Sequence, residues 1–77
     1  MAALVYFRKI SEGLELVRYE FGEDPENFLR QLVMEKDTGT SVAEDGLTDY
    51  TFLKASRKIN AMCAEAGRWP DRGMSVS

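Results

Sequence analysis

Histidine is absent from the 77 residues, and cysteine occurs once, as Cys63. Without histidine the chain lacks the commonest general base and the commonest metal ligand. A lone cysteine closes no internal disulfide, so the framework of a small secreted domain is excluded and a reducing, cytoplasmic setting is expected. Proline is scarce, at Pro25 and Pro70 alone, and the six glycines are dispersed as turn and cap residues, so no glycine-rich phosphate loop is present. No stretch approaches the roughly 18 consecutive apolar residues of a membrane span. The opening Met1-Ala2-Ala3-Leu4-Val5-Tyr6-Phe7 reaches Arg8 with no basic region before it, unlike a secretory leader.

What remains is a globular composition, 44% hydrophobic and 30% charged, on a chain short enough for one small domain. That domain is expected over residues 1–73, with 74–77 as a disordered tail. The formal charge of −3 is unevenly spread: residues 1–49 carry −6 and residues 50–77 carry +3. A modestly acidic total therefore hides a basic C-terminal part behind an acidic front.

The pattern of apolar residues predicts an α+β fold of the order β-β-α-α, an N-terminal antiparallel hairpin followed by two helices packed on one face of it. Ala3 to Ile10 and Leu14 to Phe21 are rich in strand-forming residues, with Ser11-Glu12-Gly13 between them. A three-residue loop with Gly13 left-handed sets Phe7 opposite Val17 and Val5 opposite Tyr19, gathering the apolar residues on one face. Lys9 then lies across from Glu15. The other face holds Leu4, Tyr6, Arg8 and Ile10 against Leu14, Leu16, Arg18 and Glu20. A first helix is expected over about Pro25 to Thr38, capped by Asp24, striped by Phe28, Leu29, Leu32 and Val33, and stopped by Gly39. Residues 39–48 read as a loop. A second helix is expected from a cap at Thr48 or Asp49 to about Ala66, with Gly67 as its stop and Phe52, Ala55, Ile59, Met62, Cys63 and Ala66 on its apolar side.

The hairpin's second face is the most informative feature. Apolar side chains left uncovered there would form a sizeable exposed patch, which suits pairing with another copy or a protein partner unless loop 39–48 or the tail covers it. Tyr6, Leu16 and Arg18 are the candidate protein-binding residues on that face. Trp69 is read either as a lid on the core or as an exposed anchor. The expected function is thus a small, non-catalytic protein–protein interaction domain, homodimeric in one form of the reading.

An alternative rests on Lys54, Arg57, Lys58 and Arg68, which share one side of the second helix and its end and could line a phosphate backbone as a nucleic-acid-binding regulator. The order strand, helix, connection, helix also follows that of ribbon-helix-helix DNA binders. The extra N-terminal strand, Gly46, and the acidic Glu15 and Glu20 argue against that form. Asp37, Ser41, Glu44, Asp45 and Asp49 cluster in one connection without calcium-loop spacing, so a solvated loop is expected and no metal site. Cys63 sits on the apolar side of a helix without a histidine to activate it. Neither catalytic residues, a cofactor nor a small-molecule substrate is expected.

Overall fold

The computed structural model describes residues 4–76. It is an α+β fold with one helix, not two. The strands are β1 (Leu4–Glu12), β2 (Leu16–Gly22), β3 (Arg30–Glu35), β4 (Ser41–Ala43) and β5 (Arg72–Val76), and α1 spans Tyr50–Ala66. They form one five-stranded sheet in the order β4-β3-β2-β1-β5, every neighbouring pair antiparallel. The first four strands meander to one edge. The helix then carries the chain back across the sheet so that β5 pairs with β1 at the other.

The β-β-α-α expectation fails at residues 25–38. Asp24 does cap a turn, its carboxylate accepting from the Glu26 N–H at 2.9 Å, but the turn closes at once through Asn27 N–H to the Asp24 carbonyl. The chain then extends as β3 along β2, with Leu32 opposite Tyr19 and Met34 opposite Val17. Leu32 and Met34 are fully buried, while Leu29, assigned to the helical stripe, is 81% exposed. Burying alternate residues against a paired strand outweighs the local preference for helix. Gly39 adopts the left-handed conformation (φ 72°), yet it serves the β3–β4 turn rather than a helix end. With β3 in place of a helix, the ribbon-helix-helix order is gone.

The hairpin is real, but its register is not the expected one. Phe7 pairs with Phe21 and Lys9 with Tyr19, and a bulge at Ile10 precedes the pairing of Ser11 with Arg18. β1 runs on to Glu12, so the turn is Gly13-Leu14-Glu15, closed by Gly13 N–H to the Leu16 carbonyl at 2.8 Å, and Gly13 is not left-handed. Up to Lys9 the shift from the expected pairing is four residues, an even number that preserves the face of each side chain, and the bulge adds one more beyond it. Ala3, expected opposite Phe21, lies outside the described residues. Residues 74–76, expected as tail, belong to β5, and Ser77 lies outside the described residues.

The second helix stands as expected. Asp49 caps it by accepting from the Phe52 N–H at 2.9 Å, and Gly67 ends it in the left-handed conformation with its N–H on the Cys63 carbonyl. Phe52, Ala55 and Ile59 enter the core formed with Val5, Phe7, Val17, Tyr19, Phe21, Leu32, Met34 and Ala43. Phe7 and Tyr19 meet edge to face with centroids 5.7 Å apart. The Tyr19 hydroxyl donates to the Pro70 carbonyl at 2.6 Å, and burial holds it well above its ordinary pKa. Ala66, placed on the apolar side by its spacing, is exposed at the helix end.

Candidate interaction surface

Every side chain that faces α1 is accounted for by the core or its rim. Among the described residues, the opposite face of the sheet has no helix or second sheet over it and is crossed only at one end, by the connection after β2. Loop 39–48 and the tail do not cover it: they become β4 and β5 and widen it. Leu4, Ile10, Leu16, Val42, Met74 and Val76 stand on that face between 37% and 65% exposed. Tyr6 and Val33 are half-buried among them. Alternation along each strand produces this surface, since Val5, Phe7, Val17, Tyr19 and Phe21 turn to the helix and their neighbours turn away.

Charge crosses this face in an ordered row. Glu20 pairs with Arg8 on one side and Gln31 on the other, and Arg8 pairs in turn with Arg72. The Arg8 Nε donates to Glu20 at 2.7 Å, and its guanidinium lies 5.1 Å from the centre of the Phe28 ring. Arg18 forms an ion pair with Glu44. Arg72 has no ion pair among the described residues, although directly opposed like charges on adjacent strands repel. Opposed to it is Arg8, whose own charge is already shared with Glu20.

At one end of the face the connection from Glu23 to Leu29 rises over the sheet. It packs closely on the end of β2, where a Cβ at Gly22 would be in ordinary contact with the Asn27 carbonyl and the Phe28 backbone, 3.5 and 3.8 Å away. Phe28 and Pro25 thereby wall a groove of about 300 Å³ whose other sides are Tyr6, Arg8, Arg72 and Met74. Comparison with protein-family models, with curated proteins and with solved structures finds no match for this chain. The surface is therefore read from its own geometry.

The structure places Tyr6, Leu16 and Arg18 on the same open face, Tyr6 at the groove end and Leu16 and Arg18 toward the β1–β2 turn. It separates Trp69 from them. That indole packs against the core on the helix side, and its carbonyl accepts from the Lys9 ammonium at 3.4 Å. Of the four basic residues, Arg57, Lys58 and Arg68 are exposed, whereas Lys54 is buried, with its ammonium 5.4 Å from the centre of the Tyr50 ring. Sequence reasoning missed Phe28, Arg72 and Met74 at the groove. Phe28 was absorbed into a helical stripe, and the other two were assigned to the chain's end, where the alternation of Arg72, Met74 and Val76 with small residues was the available signal.

Two polar clusters sit off this face. Arg30 donates to Asp45, Asp49 and the Leu47 carbonyl and lies over the Phe21 ring, tying the loop before α1 to β3. Its hydrogen bond lowers the pKa of both aspartates. Glu12 accepts from Lys36 and Lys9, each at 2.6 Å, and these two cations bring its pKa down to about 2. Among the described residues no group of three or more Cys, Asp or Glu side chains is arranged to hold a metal ion, and no helix is long and apolar enough to cross a membrane.

Proposed function

We propose that this chain is a non-catalytic protein–protein interaction domain whose working surface is the open face of the sheet. One observation carries the reading: both segments that could have covered the apolar face extend it instead. Contiguous exposed apolar surface rimmed by charge is the signature of a contact site, since water alone makes it costly. The polar groups with catalytic chemistry support the non-catalytic half of the reading, because Glu12, Arg30, Asp45 and Asp49 are engaged in ion pairs that join elements of the fold. A cytoplasmic setting is part of the same proposal and rests on the single cysteine.

The reading is tested by placing charge on the face and titrating with anilinonaphthalene sulfonate, a dye that lights up on apolar surface. At concentrations dilute enough for monomers, the doubly substituted Leu16→Glu, Val33→Glu chain should stay folded by circular dichroism and bind the dye far more weakly than the parent. Dye binding that is unchanged, or that follows substitutions on α1 instead, contradicts the reading.

A second reading is favoured by Arg57 and Lys58, exposed on α1 and without an ion pair among the described residues. With Arg68 they would contact a nucleic-acid backbone, Lys54 having turned inward. It predicts binding to duplex or single-stranded nucleic acid that falls steeply with salt and is reduced by Lys58→Glu. No mobility shift at low salt removes it.

A further inference from the structure

The open face ends in two features that fit one another. At one end is the groove between Phe28 and Met74, apolar on its walls and flanked by Arg72, a cation without an ion pair. At the other end is the β1–β2 turn. Leu14 at its tip is 98% exposed, a large apolar side chain touching almost nothing of its own chain. Glu15 beside it is exposed and has no ion pair among the described residues. The tip is also free to be reached, because β5 pairs with β1 only as far as Arg8, and the chain before it stays beside β1 only to Lys9, whose N–H donates to the Asp71 carbonyl at 2.7 Å. We infer that the open face binds a second copy of this chain, with Leu14 of each copy in the groove of the other and Glu15 on Arg72.

This rests on the open face being the working surface and goes further by naming its occupant. Tip and groove lie at opposite ends of the same hairpin, the groove where Tyr6 pairs with Gly22 and the tip beyond the pairing of Glu12 with Val17. A two-fold axis in the plane of the contact, perpendicular to the strands, exchanges those ends. Both tips then fill both grooves at once, and the contact closes as a dimer instead of propagating. Ile10 and Arg18, midway along the hairpin, meet their counterparts near the axis, and Leu16 beside the tip lies toward the groove end of the other copy. The whole molecule spans 36 by 26 by 20 Å, so a contact of the roughly 800 Å² that each partner of a stable pair buries would take in most of one broad side. Charge agrees as well: a carboxylate arriving at Arg72 relieves the repulsion between Arg8 and Arg72.

The experiment is sedimentation of the full chain over a concentration series, for the parent and for Leu14→Ser, Glu15→Arg and Arg72→Glu. Leu14 is so exposed that Leu14→Ser leaves the fold intact, which circular dichroism verifies. The parent should form a dimer, and each single variant should weaken it about tenfold or more. An equimolar mixture of Glu15→Arg with Arg72→Glu should dimerise again, since both of its contacts pair opposite charges. A parent that stays monomeric while the face still binds the dye overturns the second copy and leaves the open-face reading standing. A dimer indifferent to Leu14→Ser, or a mixture that fails to recover, overturns the tip-in-groove arrangement. Mass rising beyond the dimer overturns the two-fold closure. A monomer whose open face also fails to bind the dye removes both proposals.

Discussion

The two faces of this sheet are made by the same five strands and differ in almost every other respect. Toward α1, alternate residues interlock into a core in which Phe7, Tyr19, Leu32 and Met34 have essentially no exposure. Away from it, the intervening residues include as many large apolar groups, yet they stand in solvent and alternate with Arg8, Arg18, Glu20 and Arg72. Hydrophobicity alone does not decide which face folds the chain. Coverage does, and coverage comes from the single helix that crosses back between β4 and β5. The proposed division of labour follows: stability lives on the helix side, and the open side is left for contact with partners.

Substitutions that respect or violate this division should separate by size. Phe7→Ala, on the helix side, should cost about 3–5 kcal/mol. That is comparable with the whole stability of a core this small, so urea denaturation should find the variant largely unfolded at room temperature. Leu16→Ala, its counterpart on the open face, should cost less than about 1 kcal/mol. A cost for Leu16→Ala near that of Phe7→Ala would erase the distinction.

Gly73→Ala probes how tightly the helix side is closed. An added Cβ would lie 2.6 Å from the Phe7 ring and 2.9 Å from the Met62 sulfur, so the strand and core must shift. A loss of about 1–3 kcal/mol is expected in the denaturation midpoint. Arg30→Ala removes the clamp on Asp45, Asp49 and Leu47 that positions the helix for its packing. About 1–2 kcal/mol should be lost, with the open face unchanged in its dye binding.

The smallest effect should be acid sensitivity from Glu12. Its pKa is about 2 in the folded chain against an ordinary 4.5, because Lys36 and Lys9 hold the charged form. A lowered carboxylate contributes its stability in full above the unfolded value and loses it as pH falls through the folded one. Stability should therefore decline between about pH 4.5 and 2, Asp45 and Asp49 adding to the same limb through Arg30. Glu12→Gln should flatten that decline in urea midpoints measured against pH. An equally steep decline in the variant would show the ion pairs to be spectators.

The helix was legible because its signals are local. Asp49 and Gly67 mark its ends, and Phe52, Ala55 and Ile59 recur at its period. The two faces of the hairpin were legible despite the wrong register, because the shift is even up to Lys9 and so leaves side-chain direction there untouched. β3 was not legible, since Phe28, Leu29, Leu32 and Val33 satisfy helical spacing as well as Leu32 and Met34 satisfy strand spacing. Only the presence of β2 alongside decides between them, and that partner is not local. β5 was harder still, being short and interrupted by Gly73 and Ser75, and stabilised by pairing with β1 at the far end of the chain. Tyr6, Leu16 and Arg18 share the open face, as their alternation along the strands indicated. Its groove needed β5, whose one local signal is the alternation of Arg72, Met74 and Val76 with small residues, and the crossing after β2, where Phe28 and Leu29 fit a helical stripe.

The most direct test of the division between the faces is a backbone-amide NMR series on the uniformly labelled chain, recorded from dilute to concentrated solution. Shifts that move with concentration should gather at Tyr6, Leu14, Leu16, Arg18, Phe28 and Met74, with the amides of α1 stationary. Movement centred on Arg57, Lys58 and their neighbours in α1, with the open face still, would contradict the account.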